Sequence, residues 1–143
     1  MESVVTAAAF REASGGRLVL IVDDDPAMRT LCAMSLQMEG LVVLEAPDGE
    51  TALAHARSDC PDLVLTDVKM PGLDGFALAE ALRDDLRTSR VPLIFLSGET
   101  GTANKARADE LGALAYVTKP FDPDALASLV EDALSSPGVA AAG

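Results

Sequence analysis

Several residue types are scarce in this chain of 143 residues, and each shortage excludes a class of function. A single histidine leaves no histidine-based metal site and no serine–histidine catalytic pair. The two cysteines, Cys32 and Cys60, are too few for a secreted framework of several disulfides, no CxxC motif is present, and we interpret both as buried thiols. Only 11 basic residues oppose 23 acidic ones, giving a net charge of −12. Such a surface repels the phosphates of nucleic acids and anionic lipids, so we expect no direct binding to DNA.

Long hydrophobic runs are also missing. No stretch approaches the roughly 20 apolar residues that span a bilayer. The first 16 residues contain Glu2, Arg11 and Glu12 and lack the unbroken apolar core of a signal peptide. We therefore expect a cytoplasmic protein with no membrane partner. Hydrophobic residues nevertheless make up 49% of the chain, which is enough to build the core of about one domain.

Five short apolar runs predict strands over residues 18–22, 41–44, 63–66, 93–96 and 113–117. They are continuous rather than alternating, which is typical of strands buried on both faces of a parallel sheet. The flanking residues 1–16 and 135–143 are rich in small residues, and we expect them to be flexible tails. The predicted ordered domain covers residues 17–134.

Helices are predicted between the strands, because parallel strands need crossover connections. Acidic N-cap residues followed by helical apolar spacing occur at Asp25, Asp48, Asp74 and Asp122, and two of them precede a proline. A fourth helix is expected over residues 99–111, with Gly112 ending it. The alternation predicts an α/β fold with five βα units, doubly wound around one parallel sheet.

Ligands of such sheets bind beyond the carboxyl ends of the strands. The first predicted strand is followed there by Asp23, Asp24 and Asp25, the third by Asp67, the fourth by Ser97 and Gly98, and the fifth by Lys119 and Pro120. Like charges about 5 Å apart repel by roughly 3 kcal/mol at an effective dielectric of about 20, so this rim favours a cation.

These residue types indicate phosphoryl transfer. Mg²⁺ prefers carboxylate oxygens, water and phosphate, and Mn²⁺ is a possible substitute. A lysine can anchor one phosphoryl oxygen and a serine hydroxyl another. Asp67 is the candidate nucleophile, because its carboxylate could attack a phosphoryl donor to give an aspartyl phosphate.

Four segments carry a resemblance to a known family. They are VLIVDDDP at residues 19–26, LTDVKMPGLDG at 65–75, FLSG at 95–98 and YVTKPF at 116–121. In this order they resemble the receiver domain of two-component response regulators, the family of the chemotaxis regulator. The resemblance covers about residues 17–134 and implies a flavodoxin-like sheet with strand order 2-1-3-4-5.

The resemblance also implies roles for individual residues. Asp67 would be the phosphate acceptor and a metal ligand. Asp24 would bind the metal directly, Asp23 would act on it through water, and the backbone carbonyl of Lys69 would be the third protein ligand. Asp25 could serve either as a helix N-cap, the reading we favour, or as a further ligand.

The remaining implied roles concern the response to phosphorylation. Ser97 would be the switch hydroxyl, Lys119 the phosphate partner and Tyr116 the aromatic switch residue. Gly98 would leave room for a phosphodonor, and the side chains of Lys69 and Glu99 would tune the lifetime of the phosphate. The peptide bond before Pro120 would be cis.

The function that this resemblance implies is a stand-alone receiver. It would take a phosphoryl group from a histidine kinase or a histidine phosphotransfer protein, and its fourth helix, fifth strand and fifth helix would change shape to bind an unidentified downstream protein. We expect a monomer, or a weak dimer that depends on phosphorylation. The domain itself would not be an enzyme beyond promoting its own phosphorylation and dephosphorylation.

Three alternatives remain. The chain could be the receiver part of a longer regulator, because its last residues would also suit a linker between domains. It could be an aspartate-nucleophile phosphatase of the haloacid-dehalogenase type, although Asp67 lacks the second acid of that Asp-x-Asp motif. It could also be an inactive receiver used only for docking, which the complete set of acids, hydroxyl and lysine disfavours.

Overall fold

The structure, a computed structural model, describes residues 16–99 and 101–135, and there five strands alternate with five helices. The predicted tails therefore lie almost entirely outside the described residues. The strands are β1 (Leu18–Val22), β2 (Val42–Ala46), β3 (Leu63–Asp67), β4 (Leu93–Ser97) and β5 (Ala115–Thr118). The helices are α1 (Pro26–Met38), α2 (Gly49–Asp59), α3 (Gly75–Asp84), α4 (Thr102–Glu110) and α5 (Pro123–Ser135).

The strands form one parallel sheet in the order 2-1-3-4-5, so the predicted topology is confirmed. Every residue of β1, β3 and β4 is buried, as their continuous apolar runs predict. The prediction of full burial was wrong for β2 and β5, which are half-buried over most of their length. Both lie at edges of the sheet, where a strand has a neighbour on one side only.

Alternate residues of the strands point to two separate cores, because successive side chains face opposite sides of a sheet. One core packs β1, β3 and β4 against α2, α3 and α4, and includes an edge-to-face contact of Phe76 with Phe95, whose ring centres are 5.1 Å apart. The other packs the opposite faces of the same strands against α1 and α5. The doubly wound arrangement leaves the carboxyl ends of the strands as one open edge.

Acidic N-caps begin three helices where the sequence predicts them. The carboxylate of Asp25 accepts hydrogen bonds from the backbone N–H groups of Ala27 and Met28, while Asp48 and Asp74 cap α2 and α3 in the same manner. These side chains satisfy backbone donors that have no partner inside the helix. None of the described helices is long and apolar enough to cross a membrane.

Two predictions about local structure were wrong. The fourth helix begins at Thr102 rather than at residue 99, because the backbone of Glu99 bonds elsewhere: its N–H donates to the Ser97 hydroxyl and its carbonyl accepts from Tyr116. Of the two cysteines, Cys32 is buried, whereas Cys60 is exposed at the end of α2 with a left-handed backbone. The apolar pattern of the sequence does not show that Cys60 ends α2 instead of packing in the core.

Candidate phosphorylation site

The carboxyl ends of four strands bring the predicted side chains to one rim. Asp67 and Ser97 are the last residues of β3 and β4, while Asp23 and Lys119 directly follow β1 and β5. The parallel register fixes their neighbourhood, because it pairs Asp67 with Leu96 and Ser97 with Thr118. A hydrogen bond of 2.7 Å from the backbone N–H of Lys119 to the carbonyl of Ser97 ties the ends of β4 and β5 together.

Lys119 joins the two buried acids of the rim. Its Nζ lies 3.1 Å from Oδ2 of Asp67 and 3.4 Å from Oδ2 of Asp23. Asp23 and Asp67 are only 1% and 8% exposed, whereas Asp24 is exposed. The peptide bond between Lys119 and Pro120 is cis. One ammonium group therefore faces two carboxylates that are largely removed from solvent.

Burial dominates the electrostatics of Asp23. Desolvation raises the pKa of its carboxyl, although the backbone N–H of Asp25 and the nearby charge of Lys119 partly oppose the rise. Desolvation lowers the pKa of Lys119, but its hydrogen bond to Asp67 and the charges of Asp67 and Asp23 outweigh that effect, so its pKa lies above the ordinary value. Lys119 thus stays protonated at neutral pH, while the ionised form of Asp23 is disfavoured.

The donor set of the rim fits a divalent cation. One carboxylate oxygen from each of Asp23, Asp24 and Asp67 lies within 4.8 Å of the others. Three carboxyl groups face a single lysine, and a hard cation with oxygen ligands would neutralise the excess negative charge and favour the ionised form of Asp23. Asp25, in contrast, directs its side chain into the N-cap of α1, and Asp74 does so at α3.

Glu99 connects the switch candidates. Its N–H donates to the Ser97 Oγ at 3.0 Å, and the Tyr116 hydroxyl donates to its carbonyl at 2.8 Å. Its side chain forms an ion pair with Lys69 and accepts a hydrogen bond of 3.0 Å from Asn104 in α4. The hydrogen bond to Lys69 lowers the pKa of Glu99. The two residues predicted to tune the phosphate lifetime therefore contact each other.

Three residues that support the site were not found from the sequence. Arg29 donates to the backbone carbonyl of Asp23 at 2.7 Å and to Glu45 at 3.2 Å. Asn104 orients Glu99, and Gly75 packs so closely on the strand end that an added Cβ would lie 2.2 Å from the carbonyl oxygen of Asp67. The sequence signals for Gly75 are its place directly after an N-cap acid and at the end of the segment LTDVKMPGLDG at residues 65–75.

The chain is similar in sequence to proteins of a known family. A family model described as the response regulator receiver domain matches residues 19–131. The chain is 39% identical over 125 residues to the transcriptional regulatory protein CseB of Streptomyces coelicolor, covering 87% of this chain and 52% of CseB. It therefore spans about half the length of that relative. It is also 39% identical over 118 residues to the protein PilH of Pseudomonas aeruginosa, covering 82% of this chain and 97% of PilH.

A solved structure shows the same fold. The chemotaxis protein CheY4 of Vibrio cholerae superimposes with a TM-score of 0.77 at 33% sequence identity, over 81% of this chain and 97% of that one.

Proposed function

The chain belongs to the response regulator receiver domain family, a family of signalling domains, and we propose from this premise that Asp67 accepts a phosphoryl group from a histidine kinase or a histidine phosphotransfer protein. The observation that supports this most directly is the contact of Lys119 with Asp67 and Asp23 at one rim. Its ammonium group offsets the charge of a phosphoryl group that arrives beside two acids.

In the proposed reaction an Asp67 carboxylate oxygen attacks phosphorus, so that a P–O bond forms as the bond to the donor's histidine nitrogen breaks. Lys119 pairs with a phosphoryl oxygen. Asp24, Asp67 and the backbone carbonyl of Lys69, with Asp23 acting through water, would hold Mg²⁺ or Mn²⁺. Such an ion supplies positive charge that stabilises the transition state.

We propose that Ser97 and Tyr116 report phosphorylation to the face formed by α4, β5 and α5. Ser97 accepts the N–H of Glu99, so its own O–H remains able to donate to a phosphoryl oxygen. Movement of Ser97 toward that oxygen displaces the Glu99 backbone, to which the Tyr116 hydroxyl is bonded. The predicted result is inward rotation of Tyr116 and a changed surface for a downstream protein.

Incubation with acetyl phosphate and Mg²⁺ tests this proposal, since it supplies a phosphoryl group without a cognate kinase. Intact-mass spectrometry should show addition of one phosphoryl group to the native chain and none to Asp67→Ala. Asp74→Asn is the matched control, because it removes an acid near the rim while keeping the N-cap. Equal modification of Asp67→Ala would overturn the assignment.

The stand-alone arrangement stays a prediction. PilH, which this chain matches over 97% of its length, has room for little beyond the matched region, whereas CseB extends well beyond it.

Transfer of phosphate from purified kinases, compared one by one, would identify the donor.

A further inference from the structure

A cleft lies at the amino ends of the strands, opposite the rim that carries Asp67. Its wall includes residues that directly precede three strands: Arg17 before β1, Asp62 before β3 and Pro92 before β4. The cleft has a volume of about 560 Å³, within the range of about 300–1,000 Å³ that is usual for small-molecule sites. Strands of five residues, about 16 Å long, separate it from the rim, so the groups proposed for phosphoryl transfer do not line it.

The charge of this cleft is opposite to that of the chain. Arg17, Arg87 and Arg90 line it, three of only 11 basic residues, and Asp62 is the one acid among the described residues of its wall. Asp62 is itself engaged, since its Oδ2 accepts the N–H of Leu18 at 2.7 Å. A chain of net charge −12 repels anions over much of its surface. An anion therefore meets less repulsion at this locally positive cleft.

Arginine suits the binding of a carboxylate or a phosphate, because its planar guanidinium carries five N–H donors in a fixed fork. Arg17 donates from Nη1 to the carbonyl of Leu134 at 3.3 Å, which ties it to α5, and the other N–H groups of the same guanidinium can bind an anion. Arg87 is held by Asp85, which accepts from its Nε at 3.1 Å and its Nη2 at 2.8 Å. Arg90 is exposed on the same side of the cleft as Arg87.

One wall of the cleft is a fixed turn at residues 85–91. The hydroxyl of Thr88, a residue that is 3% exposed, donates to the carbonyl of Leu82 at 2.7 Å. Arg83 donates from Nη1 to the carbonyl of Val91 at 2.6 Å. These contacts order the turn without a ligand, so a ligand does not bear the cost of ordering it.

Leu86 gives this wall an apolar surface. It is 95% exposed, the largest exposed fraction of any large hydrophobic side chain in the described part of the chain. Val91 and Leu134 line the cleft as well. A ligand that combines an anionic group with an apolar body would pair with the arginines and also remove Leu86 from water, which is favourable.

We propose that this cleft binds an organic anion, which is a phosphate or carboxylate group on an apolar body. Arg17 and Arg90 would hold the anionic group, and Leu86 would contact the apolar body. The site goes beyond the proposed receiver function, because it uses none of the residues of the rim and does not depend on phosphorylation of Asp67.

Backbone amide NMR of the full chain in EDTA tests the proposal, with naphthyl phosphate and naphthoate as probes of the two kinds of anionic group. Saturable shifts should appear at residues 86–91 and at Arg17, and not at Asp67 or Ser97. Inorganic phosphate lacks the apolar body and naphthol lacks the charge, so each should bind at least about tenfold more weakly than naphthyl phosphate. The tighter of the two anionic probes distinguishes a phosphate ligand from a carboxylate ligand.

Variants separate the two parts of the site. Arg90→Gln should weaken naphthyl phosphate about tenfold, as should Arg17→Gln, because each removes a charge-assisted hydrogen bond. Arg107→Gln removes the same charge from α4, outside the cleft, and should leave the affinity unchanged. Leu86→Ser should weaken naphthyl phosphate but not inorganic phosphate, whereas Met38→Ser, at a side chain 85% exposed on α1, should change neither.

Three outcomes would overturn the proposal. One is the absence of saturable shifts at residues 86–91, including the case in which the shifts centre on the rim. Another is binding of naphthol as tight as that of naphthyl phosphate, which would mean that the arginines take no part. The third is an equal effect of Arg90→Gln, Arg17→Gln and Arg107→Gln, which would assign binding to the overall charge of the chain.

Discussion

Asp23 shows at the scale of one residue how the site departs from the most stable arrangement. It is 1% exposed, its pKa is raised by burial, and it shares a single lysine with Asp67. Ionising a buried carboxyl costs free energy, and a residue that served only the stability of the fold would not carry that cost. The sequence reveals the position of Asp23, because acids directly follow a buried strand. It does not reveal that Asp23 is buried, since the burial depends on how α1 and the other strand ends close around it.

Gly75 is a residue whose importance only the structure shows. A Cβ at this position would lie 2.2 Å from the backbone oxygen of Asp67 and 2.9 Å from the Cα of Val68, neither of which can rotate away. We therefore expect Gly75→Ala to lower the free energy of unfolding by about 1–3 kcal/mol, the usual cost of overpacking, and to slow modification of Asp67. Chemical denaturation and the acetyl phosphate reaction measure these two effects.

Gly98 provides the control for that substitution. An added Cβ there would meet nothing within 4 Å. Gly98→Ala should leave the free energy of unfolding unchanged or raise it by about 0.4–1 kcal/mol. If both alanine variants had the free energy of unfolding of the native chain, the start of α3 could not pack as closely on the end of β3 as the structure shows.

At the scale of elements, the predicted boundaries hold for β1 and for the starts of three helices that follow N-cap acids, whereas β2 runs on to Ala46 and β5 begins only at Ala115. The bounds of β1 match the prediction, and α1, α2 and α3 begin after Asp25, Asp48 and Asp74. The start of α4 could not be predicted, because Glu99 is a good helix former whose backbone is taken by Ser97 and Tyr116. The bond to Ser97 joins residues only two positions apart, but the bond from Tyr116 joins residues 17 positions apart, and no local pattern contains it.

One acid, Asp85, makes several contacts at the start of the loop between α3 and β4. Asp85 accepts hydrogen bonds from Arg57 and from both the backbone and the side chain of Arg87, and those from Arg87 in particular lower its pKa well below the ordinary value of 3.8. A lowered pKa in the fold means that Asp85 stabilises it above pH 3.8, and that this contribution is lost as the pH falls further. We expect Asp85→Asn to melt at a lower temperature than the native chain at pH 7.

The difference in melting temperature between the native chain and Asp85→Asn should shrink as the pH is lowered below about 4, because the Asp85 carboxyl of the unfolded chain then takes up a proton while that of the folded chain stays ionised to lower pH. Asp84→Asn removes an exposed acid next to it and should show no comparable trend. A difference that stays constant from pH 7 down to pH 3 would contradict a role for the charge of Asp85.

At the scale of the whole molecule, the topology was predictable because strand and helix signals alternate five times, and parallel strands joined by helices allow few arrangements. The four chemical groups of the rim follow from that topology, since each stands at a strand end. The incomplete burial of β2 and β5 and the direct pairing of Lys69 with Glu99 are among the features that only the structure shows.

Charge repulsion at the rim links the stability of the whole fold to divalent cations. Asp23, Asp24 and Asp67 place carboxylate oxygens within 4.8 Å of one another with one lysine between them. A cation that binds only the folded chain adds about 1.4 kcal/mol when its concentration is ten times Kd, which is roughly 3–6 °C in melting temperature at this size. Thermal unfolding in Mg²⁺, compared with unfolding in EDTA, should show this rise for the native chain.

The rise should be lost in Asp24→Ala, which removes the exposed acid of the three and leaves the buried contacts of Lys119 intact. The control is Asp84→Asn, because Asp84 is exposed, lies at the opposite end of the strands and gives a matched loss of charge. Asp62→Asn would not serve, because Asp62 accepts the N–H of Leu18. Asp84→Asn should retain the full effect of Mg²⁺. Equal stabilisation of Asp24→Ala and Asp84→Asn would mean that the cation acts on the overall charge of −12 rather than on the rim.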